Sequence, residues 1–119
     1  MQIMHRSILA AILAAMAGSA WAASGTISAE PNPCRVEAGK RHCTTYISWR
    51  TEGTAHARVL VKAEGRKAAP EREFANSVAE RRAVADWIAE GTTYLFTLCD
   101  WSAGSRGAVL ATVSVSSVK

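Results

Sequence analysis

The chain has 119 residues, 49% of them hydrophobic, and a formal net charge of +4 at pH 7. This length suits one small domain rather than two. The mild positive charge permits an acidic partner without demanding one. Beyond the N-terminal region no segment is apolar enough to span a bilayer, so we expect no membrane span once that region is removed.

The N-terminus has the features of a secretory signal peptide. His5 and Arg6 form a short positive segment, residues 7–18 are almost all apolar, and small residues occupy the positions before a cleavage site after Ala22. We therefore expect residues 1–22 to be a signal peptide and residues 23–119 to form one domain in the periplasm or outside the cell. The alternative is an uncleaved membrane anchor.

The first part of the mature chain predicts a strand, a turn and a disulfide. Residues 26–29 form a short strand stopped by Pro31 and Pro33. Cys34 and Cys43 then enclose a segment with a turn at 38–40, which would bring the two thiols together. In an oxidising compartment this pair should form a disulfide. Cys99 is left over.

Alternating polar and apolar residues predict further strands. Thr45, Ile47 and Trp49 share one face of their segment, and Val59 and Val61 share one face of the next. Seven strands are expected, over residues 26–29, 44–50, 57–64, 72–75, 82–88, 93–99 and 109–115. Residues 71–90 also contain good helix formers at helical spacing, so a helix there is the alternative.

Several short segments together resemble the landmarks of bacterial immunoglobulin-like and fibronectin type III-like modules of exported and surface proteins. They are Pro31-Asn32-Pro33-Cys34, Cys43, Ile47-Ser48-Trp49, Trp87-Ile88 and Gly91-Thr92-Thr93-Tyr94-Leu95-Phe96. The resemblance spans residues 25–115 and implies a seven-stranded antiparallel β-sandwich. It further implies that Trp49 lies in the core and that the Tyr94 hydroxyl bonds to backbone just upstream. Such sandwiches serve many functions.

The same resemblance places the third cysteine away from the other two. It puts Cys34 and Cys43 at the bottom of the sandwich and Cys99 near the top, about 20 Å away along a strand of six residues. A disulfide requires Cα atoms within about 7 Å, so Cys99 should not bond to either. Cys99 has the opposite parity to Tyr94 and Phe96 and should face away from the core. It is either an inert, partly covered thiol or a reactive, dimerising one.

The sequence contains no recognisable catalytic or metal-binding constellation. His42 and His56 are not spaced with cysteines as zinc ligands are. Nucleophile elbows, phosphate-binding loops and Cys-x-x-Cys motifs are absent from the sequence. We therefore expect a protein that is not an enzyme and that uses no metal or cofactor. Nucleic acid is a poor fit for an exported chain without interleaved aromatic and basic residues.

The expected topology brings three loops to the top end of the sandwich, at residues 51–56, 76–81 and 100–107. An exposed tryptophan there could stack on a sugar or anchor a protein partner. The alternative is that Trp101 covers the end of the sandwich as a hydrophobic lid. The candidate ligand-binding residues at this end are Trp101, Arg106, Arg81, Arg82, Asp100 and His56.

A second candidate is a basic set formed by Arg58, Lys62, Arg66, Lys67 and Arg72. It suits anionic envelope components such as lipopolysaccharide phosphates or acidic polysaccharide, or it is simply a solvated strand face. The sequence thus predicts a non-catalytic exported module that binds carbohydrate or a protein partner. The alternative is a structural or assembly subunit that packs through strand edges or Cys99.

Overall fold

The computed structural model describes residues 22–76 and 81–119 as an all-β fold. The predicted signal peptide lies outside the described residues, apart from Ala22, and so do residues 77–80. Where residues 71–90 are described they form strands up to Ala89 and a turn at Glu90, so the helix considered for this segment is wrong there. The strands are β1 Ser24–Glu30, β2 Cys34–Arg35, β3 His42–Glu52, β4 Ala57–Gly65, β5 Ala69–Asn76, β6 Arg81–Ala89, β7 Thr92–Asp100, β8 Val109–Val115 and β9 Ser117–Val118.

Two antiparallel sheets carry most of these strands. One has three strands in the order β1-β3-β6, and the other has four in the order β5-β4-β7-β8. The expected seven strands correspond to these seven. The described residues contain two more, because β2 and β9 pair in parallel over two residues each. The expectation of seven strands, all antiparallel, is corrected in this respect.

One hydrophobic core draws side chains from both larger sheets. Ile47 and Trp49 enter it from β3, and Tyr94, Phe96 and Leu98 enter it from β7, as their alternation predicted. Trp49 is only 3% exposed. Because alternate strand residues point to opposite faces, one apolar set per strand is enough to build this core. The other core side chains come mainly from β4 and β6: Ala57, Val59, Val61, Ala63, Ala85, Ile88 and Ala89.

The predicted disulfide between Cys34 and Cys43 is present, with Cα atoms 5.8 Å apart. It links β2 to β3 and closes the segment that turns at Gly39. Gly39 has φ +80°, a conformation that a side chain would strain, and Lys40 N–H donates to Glu37 O at 3.0 Å across this turn. Both sulfur-bearing residues are buried. The disulfide therefore attaches a very short strand to the core.

The Tyr94 hydroxyl bonds to backbone just upstream, as expected. It accepts a hydrogen bond from Ala89 N–H at 3.1 Å. Between the two residues, Glu90 and Gly91 form the turn from β6 into β7, and Gly91 has φ +73°. This hydrogen bond stabilises the turn through which the chain passes from the three-stranded sheet to the four-stranded sheet.

The two long sides of the fold differ. On one side β1 of the smaller sheet packs beside β8 of the larger sheet. On the other side the outer strands are β5 and β6, and they contact through Phe74 and Trp87, whose ring centroids are 6.1 Å apart. We call the β5–β6 side the open side. No described helix is long and apolar enough to cross a membrane.

Candidate functional site

The loops at residues 51–56 and 100–107 meet at one end of the fold, as predicted. Strand pairing places Ala57 beside Asp100 at this end. The Asp100 carboxylate accepts from Ser102 N–H at 3.0 Å, and the Ser102 and Thr54 hydroxyls lie 2.6 and 2.7 Å from the same oxygen. Hydrogen bonds from Ser102 and then Thr54 lower the pKa of Asp100 below its ordinary value. The Asp100 carboxylate therefore links the two loops through hydrogen bonds.

Trp101 lies half-buried beside this network. Its backbone N–H donates to His56 O at 2.8 Å, and the Arg58 guanidinium lies 4.5 Å from its ring centroid. Trp101 is not part of the core between the sheets. It is half-buried and has Arg58 over one face of its ring, so it is not a freely exposed anchor.

Arg106 pairs with a glutamate on the outer face of the larger sheet. Its Nε is 3.2 Å from a Glu71 carboxylate oxygen on β5. Cys99 faces this outer side, as its parity predicted, but it is completely buried rather than partly covered. Burial raises the pKa of its thiol, while Arg106 opposes the shift and Glu71 adds to it. An intermolecular disulfide through Cys99 would require this cover to open.

The remaining top-end candidates are not drawn together. The Arg82 guanidinium lies 4.2 Å from the Tyr46 ring centroid on the outer face of the smaller sheet. His56 is exposed and contributes its backbone. The Arg81 side chain and the loop residues 77–80 lie outside the described part of the chain. The structure therefore brings together His56, Asp100 and Trp101, while Arg82 contacts Tyr46 on the smaller sheet and Arg106 pairs with Glu71.

A concave site lies on the open side instead. A cavity of about 230 Å³ opens there, with Trp87 from β6, Tyr94 from β7, and Lys67 and Arg72 from the β4–β5 hairpin on its walls. A second cavity of about 240 Å³ adjoins it and shares His42, Lys67 and Ala89. We call the two cavities together the open-side groove. Its complete lining is Arg41, His42, Val61, Ala63, Arg66, Lys67, Ala69, Pro70, Arg72, Trp87, Ala89, Glu90 and Tyr94.

Aromatic packing fixes the wall of this groove. The centroid of the Trp87 ring is 5.2 Å from that of Tyr94 and 6.2 Å from that of Phe96. The Arg72 guanidinium lies 5.0 Å from the Trp87 centroid. A guanidinium on an aromatic face is attracted by the ring quadrupole, so Trp87 positions Arg72 at the groove.

Because successive strand residues face opposite sides of a sheet, the residues of the basic set lie on two different surfaces. Arg58 forms an ion pair with Glu73 at 2.6 Å, and Lys62 lies 3.8 Å from Glu64, both on the outer face of the larger sheet. In β5 the glutamates at 71 and 73 point outward, so Arg72 between them points to the groove. The groove thus receives Arg66, Lys67 and Arg72 from the basic set and adds Arg41.

Comparisons with known protein families, curated proteins and solved structures found no match to this chain.

Trp87 and His42 were not among the residues predicted to bind a ligand. The sequence signalled the basic residues near 66–72, but it did not signal that Trp87, on a strand of the other sheet, lies against them. Within residues 22–76 and 81–119, no three His, Cys, Asp or Glu side chains are grouped to hold a metal ion.

Proposed function

We propose that the chain is an exported, non-catalytic module that binds carbohydrate in the open-side groove. The proposal includes an immunoglobulin-like or fibronectin type III-like β-sandwich as its architecture. The strand orders β1-β3-β6 and β5-β4-β7-β8 and the single core between the two sheets support that architecture. A signal-like N-terminus and a disulfide in a small β domain support export.

The groove is the observation that carries the proposed function. Binding sites for small molecules are concave and mostly apolar, with a few polar groups that fix orientation. The groove combines the aromatic Trp87 and Tyr94 with several cationic side chains around two adjoining cavities. At the other end, the Asp100 carboxylate is engaged with Ser102 and Thr54, which leaves less of it for a ligand.

A small saccharide suits this site better than a large protein surface does. A stable protein interface buries about 800 Å² on each partner. The exposed large hydrophobic side chains of the described residues lie on four different strands rather than in one patch: Val84, Leu95, Val109 and Val118. A structural role through edge strands is less favoured, because Pro70 and the charged residues of β5 oppose the pairing of another strand with the β5 edge.

The test is a glycan-array screen of the exported protein, repeated with a variant that fills the groove. Ala69→Trp places an indole at the cavity wall, and it should abolish glycan binding while leaving the melting temperature nearly unchanged. The matched control is Ala68→Trp, at the neighbouring exposed position outside the groove lining. If Ala69→Trp and Ala68→Trp bind every glycan equally well, the groove is not the site. If the unaltered protein binds no glycan, the proposed function is wrong.

A further inference from the structure

We infer that the saccharide bound in the open-side groove carries carboxylates on consecutive sugar units. This inference depends on the proposed function, and it concerns the chemical class of the ligand. It follows from the distribution of ion pairs over the described residues, from the geometry of Arg72 and from the size of the two cavities.

The cations of the groove take no part in the ion pairs among the described residues. Among the described residues, four cations outside the groove have carboxylate partners within 4.0 Å, namely Arg58, Lys62, Arg106 and Lys119, whereas Lys40 and Arg82 take part in none of these pairs. Within the same part of the chain, no such ion pair involves the four groove cations, which are Arg41, Arg66, Lys67 and Arg72. Glu90, the one carboxylate on the described groove wall, lies 3.3 Å from Lys119. The groove therefore holds an uncompensated positive charge.

Arg72 is held in a geometry that suits a carboxylate. Its guanidinium lies 5.0 Å from the Trp87 centroid, and that ring is itself fixed by Tyr94 and Phe96. A guanidinium positioned in this way keeps its planar set of N–H donors for a bidentate contact with a carboxylate. Lys67, on the shared wall of the two cavities, adds a second charge with three donors. A partly enclosed site strengthens both contacts relative to open water.

The size of the groove indicates repeated compact units. Each cavity, at about 230 and about 240 Å³, lies below the range of roughly 300–1,000 Å³ typical of drug-sized ligands. Each therefore has room for one compact unit. Because the cavities share His42, Lys67 and Ala89, two successive units of one chain could occupy them. An acidic oligosaccharide supplies such units. An extended peptide that bound by strand addition would meet Pro70 and the charges on β5, which oppose that pairing.

The experiment compares tetragalacturonate with its methyl ester, a probe of nearly the same shape without charge, by isothermal titration calorimetry. The test variant is Lys67→Gln with Arg72→Gln. The matched control is Lys62→Gln with Arg82→Gln, which removes one lysine and one arginine charge outside the groove. We expect the test variant to weaken tetragalacturonate binding by about ten- to a hundred-fold, the range for losing charge-assisted contacts. The control should change it less than about two-fold, and the methyl ester should bind at least about ten-fold more weakly than the acid.

The outcomes distinguish the inference from the proposed function. If the methyl ester binds as tightly as the acid, and Ala69→Trp blocks both, the groove binds saccharide but the inferred anionic class is wrong. The inference also fails if a hexaglutamate peptide, or vesicles containing an anionic phospholipid, bind with the same dependence on Lys67 and Arg72 while tetragalacturonate and tetraglucuronate do not. If neither the acid nor the methyl ester binds, the inference fails; if the glycan array also shows no binding, the proposed function fails with it. Melting temperatures of both double variants near that of the unaltered protein exclude misfolding as the cause.

Discussion

Removal of the disulfide between Cys34 and Cys43 should destabilise the domain substantially. The perturbation is the double substitution Cys34→Ala with Cys43→Ala. The two residues are nine positions apart, and both are buried against the core. In the unfolded chain the disulfide restricts the segment between them. Without it, folding must order that segment from a freer ensemble.

The size of the effect follows from the loop length. For a loop of about ten residues, the chain-entropy relation gives roughly 2.7 kcal/mol at 25 °C, and lost packing of the buried sulfurs adds to it. We expect a total of about 3 kcal/mol, a large part of the roughly 5–15 kcal/mol that holds a domain together. For a domain of this size the melting temperature should fall by roughly 10–20 °C.

The assay is thermal unfolding followed by circular dichroism, with and without a reducing agent. The reducing agent should lower the melting temperature of the unaltered protein to that of the double variant and should leave the variant unchanged. A double variant within about 0.5 kcal/mol of the unaltered protein, the range for neutral surface changes, would refute the reasoning. Such a result would mean that the disulfide does not measurably restrict the segment between Cys34 and Cys43 in the unfolded chain.

Three more outcomes are expected. Trp49→Ala should lower the free energy of unfolding by about 3–5 kcal/mol in urea denaturation, whereas Ser48→Ala on the opposite face should stay within about 0.5 kcal/mol; equal effects would contradict the strand parity. Asp100→Asn should lower the melting temperature at pH 7. Because folding lowers the pKa of Asp100, this stabilisation exists above the ordinary value near 4 and is lost as the pH falls, so a difference that persists at pH 2 would contradict it. Cys99 should react with a thiol reagent much more slowly in the folded protein than in urea, because the thiol is buried and its pKa is raised; fast labelling of the folded protein would contradict its burial.

Features encoded by local alternation or short spacing could be predicted from the sequence. Period-two alternation placed Ile47, Trp49 and Phe96 in the core, because a strand residue's face depends only on its neighbours along the chain. The Cys34–Cys43 disulfide was predictable because a turn of known residue types separates the two thiols.

Features that depend on contacts between distant residues could not be predicted. The pairing of β2 with β9 joins residues more than 80 positions apart, and two-residue strands leave no alternation to detect. Arg106 reaches Glu71 across the sheet because both side chains lie on its outer face. The groove arises in the same way, since Arg72 and Trp87 belong to strands of different sheets.

The central claim is that ligand binds at the open side rather than at the Trp101 end, and one NMR titration tests it directly. Tetragalacturonate is added to the ¹⁵N-labelled exported protein, and the indole and backbone N–H signals are followed. We predict saturable shifts at the Trp87 indole and at the backbone of His42 and Lys67, with the Trp101 indole unchanged. Shifts confined to Trp101 and the loop at residues 100–107, with the Trp87 signal unmoved, would contradict the assignment of the groove as the binding site.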